Sequence, residues 1–303
     1  MKAGKGGKAG ESAITGITGT AASVPSGRPV RSVFHGRMIM DKAKIMDALR
    51  KNETLDDLGG GRKIIQARNE FRFSLDAILL ANFVRLRDKC RDHIADLGTG
   101  TGILPLLLAD RIKSAVAIEL RENQAEMAVR SVRLNGLADR IRIVAGDYCR
   151  REVLNAAGRE AFDAVIANPP YFGDGTGAAN RESGVNDARH ETTATIGDVA
   201  GAAAYLLKYG GRFSLIHVTG RLVEVIGALT AANLQPKRLR LVTARPGKAP
   251  ALFLLEAKKG ARPGLEMMPE LVVHGDGYGG YSREVAAYYT GRYEGSGGAA
   301  GKE

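Results

Sequence analysis

The sequence predicts an α/β fold built on a mostly parallel sheet that ends in a C-terminal antiparallel hairpin. Three observations carry that expectation. From residue 94 onward, short apolar segments of strand length alternate with longer segments of helical periodicity, a βαβ rhythm. A glycine-rich turn, Asp96-Leu97-Gly98-Thr99-Gly100-Thr101-Gly102, falls where one strand gives way to a helix. Two late strands are joined by Arg245-Pro246-Gly247-Lys248-Ala249-Pro250, a turn too short for the crossover that parallel pairing requires.

The elements follow in order. Residues 38–58 read as helical or mixed, and 62–66 as a short strand. Ser74 is placed to cap a helix running through Ala77, Ile78, Leu79, Leu80 and Phe83. Strand 94–97 leads through the glycine turn into a buried helix over 103–112, then strand 115–118 and an amphipathic helix over 123–134. Further strands are expected at 141–144, 162–167 and 212–217, with a helix over 196–207 ahead of a Gly210-Gly211 stop. A helix over 222–232 precedes the hairpin strands 238–243 and 252–256. Residues 1–35 mix Gly, Ser, Thr, Ala and Lys with almost no apolar periodicity and are expected to be a disordered tail. The reading is one domain over 36–290 with a short N-terminal extension, and a second, glycine-rich tail over 291–303.

Composition sets the bounds on function. A chain of 303 residues that is 44% apolar can bury one substantial core. Its longest apolar runs, 103–109 and 251–255, are too short to cross a bilayer, and the start lacks the apolar stretch of a signal peptide. A cytoplasmic protein with no membrane partner is therefore expected. Cys90 and Cys149 have no spacing that suggests a zinc site or disulfide, and each is expected to be a packed small side chain. His35, His93, His217 and His274 have no metal-ligand spacing, so no metal is expected. A formal charge of +11 and a pI near 9.7 favour a polyanionic partner, nucleic acid foremost. Lys237, Arg238, Arg240, Arg245, Lys248, Lys258 and Lys259 gather around the hairpin, where they are expected to meet phosphates, Arg245 and Lys248 from its turn.

The glycine turn discriminates between cofactors. A dinucleotide fingerprint needs its third glycine at position 103, which is Ile103; here it falls at Gly102. The turn instead resembles the first motif of S-adenosyl-L-methionine-dependent methyltransferases. On that resemblance Asp96, Gly98, Thr99, Gly100 and Gly102 line the cofactor. Glu119, at the tip of the second strand, is placed to accept hydrogen bonds from both ribose hydroxyls, and Asp147, past the third, lies near the adenine amino group.

Asn168-Pro169-Pro170-Tyr171 follows the apolar strand 162–167 and is the most specific signal in the chain. An exocyclic amine on a base or amide is a poor nucleophile, because its lone pair is delocalised. The Asn168 side-chain oxygen and the Pro169 carbonyl can each accept a hydrogen bond from such an NH₂ group, favouring a pyramidal nitrogen with its lone pair aimed at the methyl to be transferred. The two prolines preset these acceptors, Asn168 borders cofactor and substrate alike, and Tyr171 supplies a face for stacking a flat substrate. His190, in Arg189-His190-Glu191 after the loop 173–187, is a candidate RNA contact.

Across about residues 55–290 the chain resembles the bacterial tRNA adenine N6-methyltransferases that modify adenosine 37 of a valine tRNA. The resemblance rests on Ile64-Ile65-Gln66, Phe71-Arg72-Phe73-Ser74-Leu75-Asp76-Ala77, the glycine turn, the segment from Asn168 to Phe172, Arg189-His190-Glu191, and Tyr281-Ser282 before a terminal helix. It implies a Rossmann-like methyltransferase sheet, S-adenosyl-L-methionine as cofactor, tRNA as partner and N6-methyladenosine as product, with Phe73 and Asp76 near the cofactor pocket. The same tetrapeptide occurs in protein glutamine N5-methyltransferases and in some rRNA guanine N2- and DNA adenine-methyltransferases, so it specifies the atom type and not the macromolecule. The region before Asp96 is too short and irregular for the helical substrate domain of the glutamine enzymes. A reading of another class, an RNA-binding or assembly factor that keeps the fold without turnover, is opposed by the intact motifs.

Overall fold

The computed structural model describes residues 49–68, 75–87, 90–171, 194–277 and 280–290. The expected tails, Phe73, the Ser74 cap and Arg189-His190-Glu191 lie outside these residues. The described part opens on a hairpin, β1 (Glu53–Gly59) against β2 (Arg62–Ala67). Its turn uses Gly59, Gly60 and Gly61, all at positive φ, a path that side-chain-bearing residues rarely follow. The helical or mixed expectation for 38–58 is thus corrected over 53–59: the glycine turn folds that segment back onto β2, where Ile64 and Ile65 are fully buried.

Next come α1 (Leu75–Phe83), β3 (His93–Leu97), α2 (Ile103–Leu108), β4 (Ser114–Glu119), α3 (Glu122–Leu134), β5 (Ile141–Ala145), α4 (Arg151–Ala157), β6 (Phe162–Ala167), α5 (Ile196–Leu206) and β7 (Leu207–Val218). A 3-10 turn at Thr219–Arg221 leads to α6 (Leu222–Ala231), β8 (Leu234–Thr243), β9 (Leu252–Lys259), the two-residue strands β10 (Glu266–Met267) and β11 (Leu271–Val272), and α7 (Arg283–Thr290).

The main sheet runs β10-β8-β9-β7-β6-β3-β4-β5, with β11 also on β8. Strands β3 to β7 are parallel, and β9 is antiparallel to both its neighbours. The expected hairpin is present, and its second strand is the reversed one, inserted between β7 and β8. Consequently β8 runs with the parallel strands, and the β8–β9 turn lies at their carboxyl edge. Alternate residues feed two apolar layers: Ile94, Ala164 and Ile166 face α1, α2 and α7, whereas Ala95, Val165 and Ala167 face α4, α5 and α6. Both faces are covered, which is why β6 reads as an unbroken apolar run apart from Asp163.

Several boundaries differ from the sequence reading. The helix expected to reach residue 112 stops at Leu108, because Arg140 binds the Ala109 and Ile112 carbonyls and Arg111 swings back onto those of Ala81 and Val84. Gly210 and Gly211 do not stop a helix. They lie inside β7, which starts at Leu207, and the β6–β7 register shifts between Phe162 and Ala164. A Cβ on Gly211 would meet the Lys208 carbonyl oxygen at 2.9 Å, so the bulge has no room for a side chain. Helix α4 and strands β10 and β11 were not foreseen. Cys90 and Cys149 are exposed, not packed: Cys90 sits at φ 63° in the turn before β3, and Cys149 in the turn after Asp147.

Candidate active site

Parallel strands deliver their following loops to one edge, and the groups singled out from sequence meet there. Gly98, Gly100 and Gly102 adopt φ of 71°, 59° and 89°. The Gly98 and Thr99 N–H groups both donate to the Ile118 carbonyl at 3.0 Å, tying the turn to β4. On Gly102 a Cβ would press on Ala128 of α3 at 3.4 Å, whereas on Gly98 it would meet nothing within 4 Å. Space above Gly98 is therefore open for a ligand to approach the backbone.

Beneath the turn, Asp96 is fully buried and neither carboxylate oxygen has a hydrogen-bond partner among the described residues. Burial pushes its carboxyl up to about 7, with help from the Glu119 carboxylate. An ionised acid in this position favours a cation bound at the turn. Glu119 accepts from the Gly100 N–H at 2.8 Å and the Arg121 N–H at 3.0 Å, so it shapes the glycine turn as well as facing the site, and its oxygens keep lone pairs for further donors. Asp147 accepts from the Cys149 N–H at 2.8 Å, which orders the turn after β5. Sequence reading missed Leu120. This side chain is 47% exposed directly after Glu119, an apolar surface against which a flat ring can lie. The available signal was an apolar residue just past a strand-end carboxylate.

Strands β6 and β3 pair with Ala167 opposite Leu97, so Asn168 emerges beside Gly98, one strand spacing or about 4.8 Å away. Asn168 and Pro169 are half-buried and Pro170 is exposed. The Asn168 amide makes no hydrogen bond to another described residue. Tyr171 donates its hydroxyl to the Asp76 carboxylate at the start of α1. Its ring lies 5.4 Å from that of His217, tilted by 58°, and His217 rests on Phe253 at 6.3 Å. Burial and the Asp76 charge raise the Tyr171 phenol well above its ordinary value, so it stays a donor. Burial pulls His217 down to about 4, leaving a neutral ring whose Nδ1 accepts the Val218 N–H at 2.9 Å. The open stacking face expected of Tyr171 is thereby narrowed: one side of the ring is set against His217.

Lys258 is part-buried on β9, and the other six cations of the basic cluster divide in two. Arg238 pairs with Glu256 at 3.0 Å, Arg240 with Glu284 at 2.7 Å, and Lys259 with Glu160 at 2.9 Å, while Lys237 donates to the Arg262 carbonyl. Those four are held by the fold. Arg245 and Lys248 are exposed on the β8–β9 turn, at the same edge as Asn168. A recess of about 460 Å³ lined by Ser114, Arg133, Arg140 and Arg142 opens at the other edge, away from these groups. Among the described residues no group of three or more His, Cys, Asp or Glu is arranged to hold a metal, and no helix is long and apolar enough to cross a membrane.

Residues 76–217 match the model of the methyltransferase small domain family. A protein of Porphyromonas gingivalis is 33% identical over 166 residues, covering 54% of this chain and 64% of its own length. One of Bacteroides thetaiotaomicron is 31% identical over 59% of this chain and 73% of its own, and one of Tolumonas auensis 30% identical over 63% and 78%. All three carry the description tRNA1(Val) (adenine(37)-N6)-methyltransferase. The chain thus spans just under two thirds of the Porphyromonas relative. Among solved structures, a predicted O-methyltransferase from Agrobacterium tumefaciens superposes with a TM-score of 0.58 at 27% identity, over 72% of this chain and 96% of that one.

Proposed function

This chain belongs to the family of tRNA1(Val) (adenine(37)-N6)-methyltransferases, and from that premise we propose that it transfers a methyl group from S-adenosyl-L-methionine to the N6 amine of an adenosine in tRNA. The observation that carries the reading is the register of β3 and β6, which sets Asn168 beside the open glycine turn. When bound, S-adenosyl-L-methionine supplies an electrophilic methyl on a cationic sulfur. The turn from Gly98 to Gly102 would hold it, with Glu119 toward its ribose and Leu120 and Asp147 toward its adenine. The Asn168 oxygen and Pro169 carbonyl would accept the two N–H bonds of the substrate amine, turning its lone pair toward that methyl; the new N–C bond would form as the S–C bond breaks and its electron pair returns to sulfur, and the extra proton on nitrogen would then pass to water. The Agrobacterium neighbour is named for transfer to oxygen. A hydroxyl has a single O–H to offer, so a pair of preset acceptors fits an amine better.

The deciding test supplies purified protein and labelled cofactor with unmodified tRNA, rRNA or a release factor. The expected result is label on tRNA, recovered as N6-methyladenosine. Label on guanine or glutamine would overturn the substrate, and the absence of any transfer would favour an assembly factor.

Two further outcomes are expected. The Asp96 carboxyl is raised in the fold, so ionising it costs stability as pH climbs from the ordinary 3.8 towards about 7. A cationic cofactor should offset that cost. Its affinity should rise by up to about tenfold per pH unit below 7 and then level off, with one proton released on binding. Calorimetry in buffers of differing ionisation enthalpy reads both effects, and Asp96→Asn should abolish them; a flat profile in wild type would refute the coupling. Replacing Arg245 and Lys248 together by Ala should lower tRNA affinity and reduce the salt slope by up to about two phosphate contacts, leaving cofactor binding unchanged. An unchanged slope would move the phosphate contacts elsewhere.

A further inference from the structure

Three aromatic rings form a column where the chain leaves β11 beside the end of β8, and its middle ring, Tyr281, packs against the same apolar layer as Tyr171. The rings of His274 and Tyr281 are 5.7 Å apart with planes 12° from parallel, and those of Tyr281 and Tyr289 are 5.2 Å apart at 21°. This is offset stacking. His274 and Tyr281 are partly exposed, and Tyr289, at the end of the column, is 43% exposed. The column is fixed in place: the His274 N–H donates to the Ala244 carbonyl at 2.9 Å, and the Ser282 N–H to that of Val273 at 2.8 Å. Ala244 directly precedes Arg245, so the rings begin beside the exposed cations of the β8–β9 turn, and Arg283 adds a further exposed cation at the start of α7. Asp276 is exposed on the same loop. Helix α7 packs on α1, the helix whose Asp76 holds Tyr171. The column follows β11, which lies outside β8 and so four strand spacings from β6, about 19 Å, a distance that a few nucleotides of single strand can cover.

Exposed, pre-stacked rings bordered by cations are the chemistry by which proteins hold unpaired bases without reading their sequence. A clip serving only to dock α7 would gain most by burying its last ring, and Tyr289 is left open. We infer that His274, Tyr281 and Tyr289 form a stacking platform for an unpaired base of the RNA substrate, flanking the nucleotide whose amine enters the Asn168 pocket. The inference rests on the proposed RNA substrate. It adds the surface that grips the strand around the target.

The chain contains no tryptophan, so Tyr289→Trp installs a single indole reporter on the column. Two probes are titrated, a mixed-sequence single-stranded RNA heptamer and an unmodified valine tRNA transcript. The expected result is quenching of the indole by both. Tyr289→Ala should weaken heptamer binding by about tenfold, within the range for loss of one base–aromatic stack. Its salt slope should stay at the wild-type value, because a neutral ring releases no counterions, and Tyr289→Phe should bind like wild type. An unquenched indole together with wild-type affinity in Tyr289→Ala would overturn the platform, as would a lowered Tm with unchanged RNA affinity, the signature of a clip. Failure of the platform and failure of the function are separable. Methylation of tRNA by wild type, with an unquenched indole in Tyr289→Trp and wild-type RNA affinity in Tyr289→Ala, sinks the platform alone, whereas quenching of Tyr289→Trp by the heptamer when wild type transfers no methyl to tRNA keeps the platform and sinks the activity.

Discussion

Asn168→Ala is expected to slow methyl transfer by on the order of a hundredfold or more, about 2.7–4 kcal/mol of transition-state stabilisation, the scale seen when one preorganised polar group is removed from a reacting centre. Cofactor affinity should stay near wild type, because in the proposed site the turn, Glu119 and Leu120 would hold the cofactor largely without the Asn168 amide. Affinity for tRNA should fall only slightly, since phosphate contacts dominate it. The fold should also be indifferent: the amide has no hydrogen bond to another described residue and is half-buried at the end of β6. Single-turnover methylation of unmodified tRNA, followed by nucleoside analysis, measures the effect. Near-normal transfer by a folded Asn168→Ala protein would refute the role. Tyr171 differs in kind, because its side chain links α1 to the motif through Asp76 and lies against His217. Its removal should disturb the pocket's shape as well as base capture.

What the sequence disclosed and what it withheld follow the range of the interactions involved. The glycine turn and Asn168-Pro169-Pro170-Tyr171 were legible because their chemistry is local: positive φ at Gly98, Gly100 and Gly102 and two prolines after a buried strand need no distant partner to be recognised. The βαβ order was legible because β6 and its neighbours are buried on both faces and read as apolar runs. Gly210-Gly211 misled, since a helix stop and a strand bulge both draw on glycine, and only the pairing of β7 with β6 separates them. The partner of Tyr171 was hidden in the same way, because Asp76 lies 95 residues away. Leu120 was passed over because an isolated apolar residue has no meaning until its exposure beside Glu119 is seen. Charge was the least legible property. Positive residues near a turn look alike in sequence, whether they face water or an acid across the sheet.

Glu256 shows how much that last ambiguity weighs on stability, and Glu256→Ala should be the most destabilising single substitution considered for this fold. The side chain is fully buried on β9 and bridges Arg212 of β7 and Arg238 of β8, each at 3.0 Å. The Arg238 side chain is only 8% exposed, and its guanidinium lies 4.6 Å from the centre of the Phe83 ring on α1. Removing the acid would leave a cation desolvated without its counter-charge. Breaking one side of a buried pair costs about 3–5 kcal/mol. At roughly 2–4 °C per kcal/mol for a domain of this size, the melting temperature should fall by on the order of 10 °C. The bonds themselves contribute less than this suggests, because burying three charges cancels much of their attraction. Glu256→Leu combined with Arg238→Leu should therefore unfold at a higher temperature than Glu256→Ala alone, with Arg212 turning its more exposed guanidinium to water. Thermal and urea unfolding of the three proteins decides the matter. A Glu256→Ala protein as stable as wild type, or a double variant less stable than the single one, would show that Arg238 is not captive to the fold and would return it to the residues available for RNA.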